Sequence, residues 1–317
     1  MFFDAVFEGG GVKGIGIVGA LCYLEDIGYK VKKVAGTSAG AIIAALLAAG
    51  YSAYEIKRIL MNFDFRRILD KDSIQSIPIV GSAAGIIFEK GVYSGDYFED
   101  WISVLLEVKG VRKFKDVYKD GEFLLKIIAT DITKKEILVL PDDLKKYGID
   151  PMEFDIAKAV RMSISIPFFF KPVKLEYNHK FSYIVDGGVL SNFPVWIFDV
   201  EGVPRWPTFG FKLVEPNLTE EKNDGSNIIR YTLDIIATMI EENDLRYIKN
   251  KDFVRTITIP SMDVKTIDFD LSASKKLKLF NSGYTSAKKF IESWDFQKYI
   301  EKYRMNDAPD RRETLLR

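Results

Sequence analysis

The sequence predicts an α/β protein with a mainly parallel central sheet, and three observations carry that reading. Two short strand-like stretches, residues 4–8 and 31–34, the second with β-branched residues at both ends, are joined by a segment, 15–27, in which Ile17, Leu21 and Leu24 recur at helical spacing. Two strands joined by a helix within about thirty-five residues form a right-handed parallel βαβ unit by default. Each strand then runs into a glycine-flanked turn that opens a helix. Both turns therefore fall at the carboxyl edge of the sheet, where ligands of such folds sit.

The first of these turns is Gly9-Gly10-Gly11-Val12-Lys13-Gly14, and the second is Gly36-Thr37-Ser38-Ala39-Gly40. The small, apolar run 41–49 that follows reads as a buried helix; it is well short of the roughly twenty residues that span a bilayer. Residues 52–62 read as an amphipathic helix and 64–72 as a charged, solvated face. Residues 74–93 are apolar, but Gly81, Gly85 and Gly91 interrupt them and their helical phase is poor. A flap over a lipid-binding mouth and a packed connection both remain open for this stretch.

A helix over 97–108, strands over 123–131 and 136–140, and a helix over 154–163 come next. Phe168, Phe169 and Phe170 follow Pro167 and read as core packing. Val173, Leu175 and Tyr177 alternate with polar positions, Asn178-His179-Lys180 forms a polar tip, and Phe181, Tyr183 and Val185 alternate again. That is a β-hairpin, and its second strand ends in Asp186-Gly187-Gly188. A strand over 208–214, a long amphipathic helix over 228–248, a strand over 252–259 and a helix over 277–294 complete the order. No repeat or low-complexity linker divides the chain, so residues 1–294 read as one domain and 295–317 as a polar tail carrying a surface helix.

Composition narrows the function classes. Lys and Arg number 45 and Asp and Glu number 45, so no global field draws the chain to nucleic acid or to an anionic surface. Cys22 is the only cysteine, which rules out an intrachain disulfide and disfavours a cysteine metal site. The first residues run straight into an apolar strand without the features of a secretory signal. A cytoplasmic location is the expectation, with signal-free export left open.

The second turn has the form of a nucleophile elbow. In G-x-S-x-G between a strand and a helix, the glycines relieve crowding at a strained turn and the serine hydroxyl stands clear at the strand end. The following helix directs its unpaired N–H groups toward that hydroxyl. The first turn admits two readings. It matches the G-x-G-x-x-G dinucleotide fingerprint, but that motif wants a carboxylate about twenty positions on, where Lys30-Val31-Lys32-Lys33-Val34 stands. Alternatively, its consecutive glycine N–H groups form a nest for an oxygen that becomes negative during acyl transfer.

The base for Ser38 follows from reach. His179 is the sole histidine and lies seven residues, about 23 Å of extended strand, from Asp186. The two cannot both attend one serine if the strand is regular. With the imidazole at the hairpin tip, Asp186 is the natural candidate base.

In this order and separation, the glycine loop, Gly36-Thr37-Ser38-Ala39-Gly40 and Asp186-Gly187-Gly188 resemble the patatin-like phospholipases. Arg161, Ser163, Ser165 and Pro167 before the hairpin and Asn192 and Pro194 after it support the match, which runs over 3–196 and thins beyond. The resemblance implies a patatin-like three-layer α/β/α fold and a lipid acyl hydrolase of phospholipase A or lysophospholipase type. It needs no metal or other cofactor and acts on a phospholipid or other acyl lipid, with transient contact with a membrane surface and none with nucleic acid. By that match Ser38 is the nucleophile and Asp186 the base. The segment Gly9, Gly10, Gly11, Lys13 and Gly14 makes the oxyanion hole, Gly10 and Gly11 being its main donors and Ala39 a further one. Gly36, Gly40, Gly187 and Gly188 complete the motifs. A nucleotide-binding protein and a non-catalytic lipid-binding scaffold stay as alternatives.

Overall fold

In the computed structural model, which describes residues 1–68, 91–215, 250–266 and 268–305, the expected βαβ unit opens the chain. β1 (Phe2–Phe7) and β2 (Lys30–Thr37) pair in parallel and are joined by α1 (Gly14–Asp26). β2 runs three residues past the β-branched core of the strand because neighbours on both sides pair with it as far as Gly36 and Thr37. α2 (Ala39–Ala48) follows directly, then α3 (Ala53–Asn62), opened by a reciprocal capping box between Ser52 and Glu55.

The remaining described elements are β3 (Gly91–Tyr93), α4 (Asp96–Val108), the short pair β4 (Tyr118–Lys119) and β5 (Glu122–Phe123), β6 (Leu125–Asp131), β7 (Glu136–Leu140), α5 (Ile156–Ser163), β8 (Phe168–Phe170), the hairpin β9 (Val173–Tyr177) and β10 (Lys180–Asp186), β11 (Thr208–Val214), α6 (Asn250–Phe253), β12 (Thr256–Pro260), α7 (Ala273–Ser293) and α8 (Phe296–Tyr303). The main sheet has the order β12-β11-β1-β2-β6-β10-β9, with β7 also on β6. The pairs from β12 to β6 along that order are parallel, while β7, β9 and β10 are antiparallel additions.

The period-two alternation of the strands divides two cores. Ala5, Phe7 and Ile127 face the helical side with α1 and α2. Val6, Ala35 and Ile128 face the other side, where Trp196, Ile197 and Phe198 cover them. α1 and α7 cross at backbone contact: a Cβ on Gly19 would overlap the Phe280 carbonyl, and one on Gly283 would overlap that of Gly16. Among the described residues no helix is long and apolar enough to cross a membrane.

Several boundaries differ from the sequence expectation for identifiable reasons. The strand expected over 252–259 begins only at Thr256, because Asp252 belongs to α6, where its buried carboxylate pairs with the Arg255 guanidinium at 2.8 Å. α7 starts at Ala273, four residues before the apolar pattern, because Ser272 caps it by accepting from the Lys275 N–H. The aromatic run forms β8, parallel to β3, in addition to packing. Within 295–317, α8 buries Tyr299 and Ile300, and Arg304 reaches Asp199 at 3.4 Å. The 228–248 helix and most of the 74–93 stretch lie outside the described residues.

Candidate active site

Ser38 occupies the junction of β2 and α2 with φ 52° and ψ −121°, a conformation that a serine adopts only under constraint. The constraint is backbone crowding. A Cβ on Gly36 would overlap the Gly40 backbone, and one on Gly40 would overlap the carbonyls of Phe7 and Glu8. The glycines of the elbow therefore let strand and helix approach closely. Thr37 anchors the turn by donating its hydroxyl to the Ser191 carbonyl at 3.0 Å. The Ser38 N–H donates to the Ser163 hydroxyl at 2.8 Å.

Asp186 reaches the same place from the other direction. Thr37 stands opposite Ile128 of β6, and Asp186, on the antiparallel β10, stands opposite Ala129. The ends of β2 and β10 thus meet at consecutive positions of one strand. Gly187 fits there because it has no Cβ, which would overlap the Ile128 carbonyl and crowd Thr37. The Asp186 N–H donates to the Ser165 carbonyl at 2.9 Å, and its Oδ1 accepts the Gly188 N–H at 2.8 Å.

Asp186 is 3% exposed. Burial pushes its carboxyl up to about 6, and the hydrogen bonds from the Ser38 hydroxyl and the Gly188 N–H pull the other way without reversing the shift. β10 is unbroken from Lys180 to Asp186, so the exposed His179 sits at its far end. His179, the sole histidine, is thus held at the hairpin tip, a strand length away from Asp186.

Gly9 donates to the Asn192 carbonyl at 3.2 Å, Val12 to Thr266 at 3.2 Å and Lys13 to Gly10 at 3.2 Å. The Gly14 N–H is held by the carbonyls of Gly11 and Val12. Among the described residues no acceptor meets the N–H groups of Gly10, Gly11 or Ala39. The Lys13 ammonium pairs with Glu215 at 2.9 Å, which ties the loop to the end of β11. Gly9 lies against the nucleophile: a Cβ there would come within 3.2 Å of the Ser38 Cβ. Asn192 closes that contact by donating its side-chain amide to the Gly9 carbonyl at 3.3 Å.

The same packing disfavours the dinucleotide reading. Glycines of that fingerprint leave room for a pyrophosphate to approach the backbone. Here a Cβ on Gly10 would overlap the Leu213 side chain, and one on Gly11, at φ 55°, the Thr266 carbonyl. The close approach is made by the protein's own chain.

Ser38 opens onto a cleft of about 550 Å³, counting the space at its mouth. Ile42, Phe63, Trp101, Phe170 and Phe269 line it, and its surface is almost wholly apolar. Phe63 packs on Trp101 with ring centroids 4.4 Å apart and on Phe65 at 5.2 Å. Sequence reasoning did not find this wall. Its residues come from α2, the end of α3, α4, β8 and the loop before α7, and each reads alone as core.

Comparison with known proteins identifies the family and the fold. The family model for Patatin-like phospholipase matches residues 5–199. The chain is 40% identical over 297 residues to the uncharacterized protein YqhO of Bacillus subtilis, covering 93% of this chain and all of that one. It is 26% identical over 287 residues to the probable lipid hydrolase 463L of Invertebrate iridescent virus 6, covering 89% and 86% of the two chains. The crystal structure of VipD from Legionella pneumophila shares the fold, with a TM-score of 0.56 at 19% identity over 99% of this chain and 72% of that one.

Proposed function

The chain belongs to the patatin-like phospholipase family and is a lipid hydrolase, and on that premise we propose that it cleaves fatty acyl esters of glycerolipids, as a phospholipase A or lysophospholipase, through Ser38 and Asp186. The observation that carries this reading is the meeting of Ser38 and the buried Asp186, at the facing ends of β2 and β10, beside an apolar cleft. A cleft lined so largely by apolar side chains suits an acyl chain.

In the proposed reaction the acyl chain lies in the cleft and its ester carbonyl sits over the elbow. The Ser38 oxygen attacks the carbonyl carbon while its proton passes to the Asp186 carboxylate. Negative charge gathers on the carbonyl oxygen, and the N–H groups of Gly10, Gly11 and Ala39, which meet no acceptor among the described residues, are the donors available to it. The helix α2 adds the partial charge of its N-terminus. Collapse of the adduct expels the alcohol, which takes the proton from Asp186. Water then gives a proton to Asp186, attacks the acyl-enzyme and releases the fatty acid, and the proton returns to Ser38. Burial supports the role of Asp186, since a carboxyl raised to about 6 is a stronger base than an exposed one.

Lys13 has a different task in this scheme. Its ammonium is held by Glu215, so it fixes the glycine loop and leaves the donation to backbone groups.

The test is labelling with a long-chain alkyl fluorophosphonate, read by intact mass on the wild type and on Ser38→Ala, beside release of fatty acid from phospholipid micelles. One adduct, lost in Ser38→Ala together with hydrolysis, is the expected result. A folded wild type that neither labels nor hydrolyses in the presence of micelles refutes the proposal.

A further inference from the structure

One short turn holds both halves of the proposed dyad. At the end of α5, the Ser163 hydroxyl accepts the Ser38 N–H at 2.8 Å and donates to the Ile128 carbonyl at 2.5 Å. Two residues on, the Ser165 carbonyl accepts the Asp186 N–H at 2.9 Å. Ser163 and Ser165 have no exposed surface. Nucleophile and base arrive on different strands, whose register on β6 sets their backbone positions, and this turn touches both.

The turn is itself clamped. The Arg161 guanidinium, 3% exposed, donates to the Ser165 hydroxyl at 2.5 Å and to the Lys171 carbonyl at 2.9 Å, and it also reaches the Ser94 carbonyl. The Ser165 hydroxyl in turn donates to the Arg161 carbonyl at 2.7 Å. A planar fork with several donors suits a buried junction of three chain segments. Aliphatic side chains could offer those carbonyls no donor.

We propose that Ser163 is a positioning residue for the lipid hydrolase reaction: by holding the Ser38 N–H against the end of β6, it sets the Ser38 hydroxyl within reach of an Asp186 that Ser165 fixes from the same turn. The inference rests on the Ser38–Asp186 reading above. Ser38 stands in a left-handed conformation with its N–H pointed at Ser163. Loss of that acceptor takes from the buried Ser38 N–H the partner it has here, and the elbow turns to find another. A displacement of about 1 Å at a reacting atom costs on the order of a hundredfold in rate.

The experiment compares the wild type with Ser163→Ala, Ser163→Cys and Ser163→Thr, measuring kcat and KM on a micellar substrate, the rate of fluorophosphonate labelling and the thermal midpoint. Ser163→Ala is expected to lose on the order of a hundredfold in both kcat and labelling rate with KM unchanged. Ser163→Thr keeps the hydroxyl and recovers most of that loss. If Ser163→Ala does not fold, Ser163→Cys, which fills the site but accepts weakly, carries the same expectation. A folded Ala or Cys variant within about twofold of wild-type kcat, or a loss borne by KM alone, overturns the proposal. A wild type without labelling or hydrolysis overturns the dyad itself, and this inference with it, so the two failures are told apart.

Discussion

Thr37 and Asp186 stand opposite consecutive residues of β6, Ile128 and Ala129, on strands of opposite direction. That register brings the carboxyl ends of β2 and β10 face to face, with Ser38 one residue beyond the first and Asp186 the last of the second. A slip of one residue in β10 would turn Asp186 to the other face of the sheet. The proposed chemistry therefore depends on strand register as much as on the identity of two side chains.

The first consequence concerns pH. Asp186 must be ionised to take the serine proton, and its carboxyl titrates near 6. Hydrolysis should therefore fall tenfold per pH unit below about 6 and level off above it. A rate profile on an uncharged ester, which has no titration of its own, checks this. An acid limb centred near 4 would mean that Asp186 does not govern the step.

The second consequence is a trade between stability and activity. The reference carboxyl value is 3.8, and the folded value is raised to about 6. Below 3.8 the group is protonated in both states and costs nothing. As pH rises from 3.8 to about 6 the unfolded chain ionises more readily, and stability is lost. Above 6 the deficit is constant at about 3 kcal/mol. Asp186→Asn removes the charge while keeping an acceptor for Gly188. Its gain over wild type in urea denaturation should be near zero at pH 4, grow toward pH 6 and hold at pH 8, while turnover is abolished. A variant less stable than wild type at pH 8, or one with wild-type turnover, contradicts the assignment.

Gly11 tests the donor account. Its φ of 55° and its overlap with Thr266 leave no place for a Cβ. Gly11→Ala should displace the N–H groups of Gly10 and Gly11 from the ester oxygen. Loss of one such donor costs about 3 kcal/mol, or two to three orders of magnitude in kcat. Gly14→Ala is the control, because a Cβ there meets Ile43 and Ala39 only at ordinary contact distances of 3.5 and 3.6 Å. Equal losses in the two variants would mean that the loop acts only through folding.

These sites were unequally legible in the sequence. Gly36, Ser38 and Gly40 announce themselves because a strand-to-helix turn imposes its demands within five residues. Asp186 was found because the only histidine is out of reach, an argument that needs nothing but strand length. Ser163 stood out only as a companion of the motifs, since its partners, the Ser38 N–H and the Ile128 carbonyl, are brought to it by the sheet. The cleft was illegible for a stronger reason. Phe63, Trp101 and Phe269 are spread over more than half of the chain, and an aromatic residue lining a groove has the same local pattern as one filling a core. Likewise Asp252 breaks a strand pattern through a buried ion pair that no periodicity reports.

Cleft occupancy leads to a selectivity prediction. Ile42 lies one turn into α2 from Ser38 and lines the cleft without touching the Asp186 hydrogen bonds. Ile42→Trp should fill the space beside the nucleophile. Hydrolysis of long-chain esters should fall at least about tenfold relative to acetyl esters, since each excluded methylene forfeits about 0.8 kcal/mol of burial. The ratio of kcat/KM for long and short esters measures this directly. An unchanged ratio would place the acyl chain elsewhere.

The last prediction concerns the scaffold. α1 carries the glycine loop at its start, and α7 lies across α1 where Gly16, Gly19 and Gly283 bring the two backbones together. A Cβ on Gly19 would overlap the Phe280 carbonyl, which is backbone and cannot rotate away, and it would lie 3.0 Å from the Tyr284 N–H. Gly19→Ala should force the helices apart at a cost of about 3 kcal/mol, against the gain of up to 1 kcal/mol that alanine brings to a free helix. Gly28→Ala gives the comparison: φ is 82° there, but no atom lies within 4 Å, so only local strain is added. Urea denaturation should show the larger loss for Gly19→Ala. Because α1 begins at Gly14, loosening the crossing also frees the loop that precedes it, and fluorophosphonate labelling of the folded variant should slow. A Gly19→Ala protein as stable as wild type would mean that α1 and α7 do not cross at backbone contact.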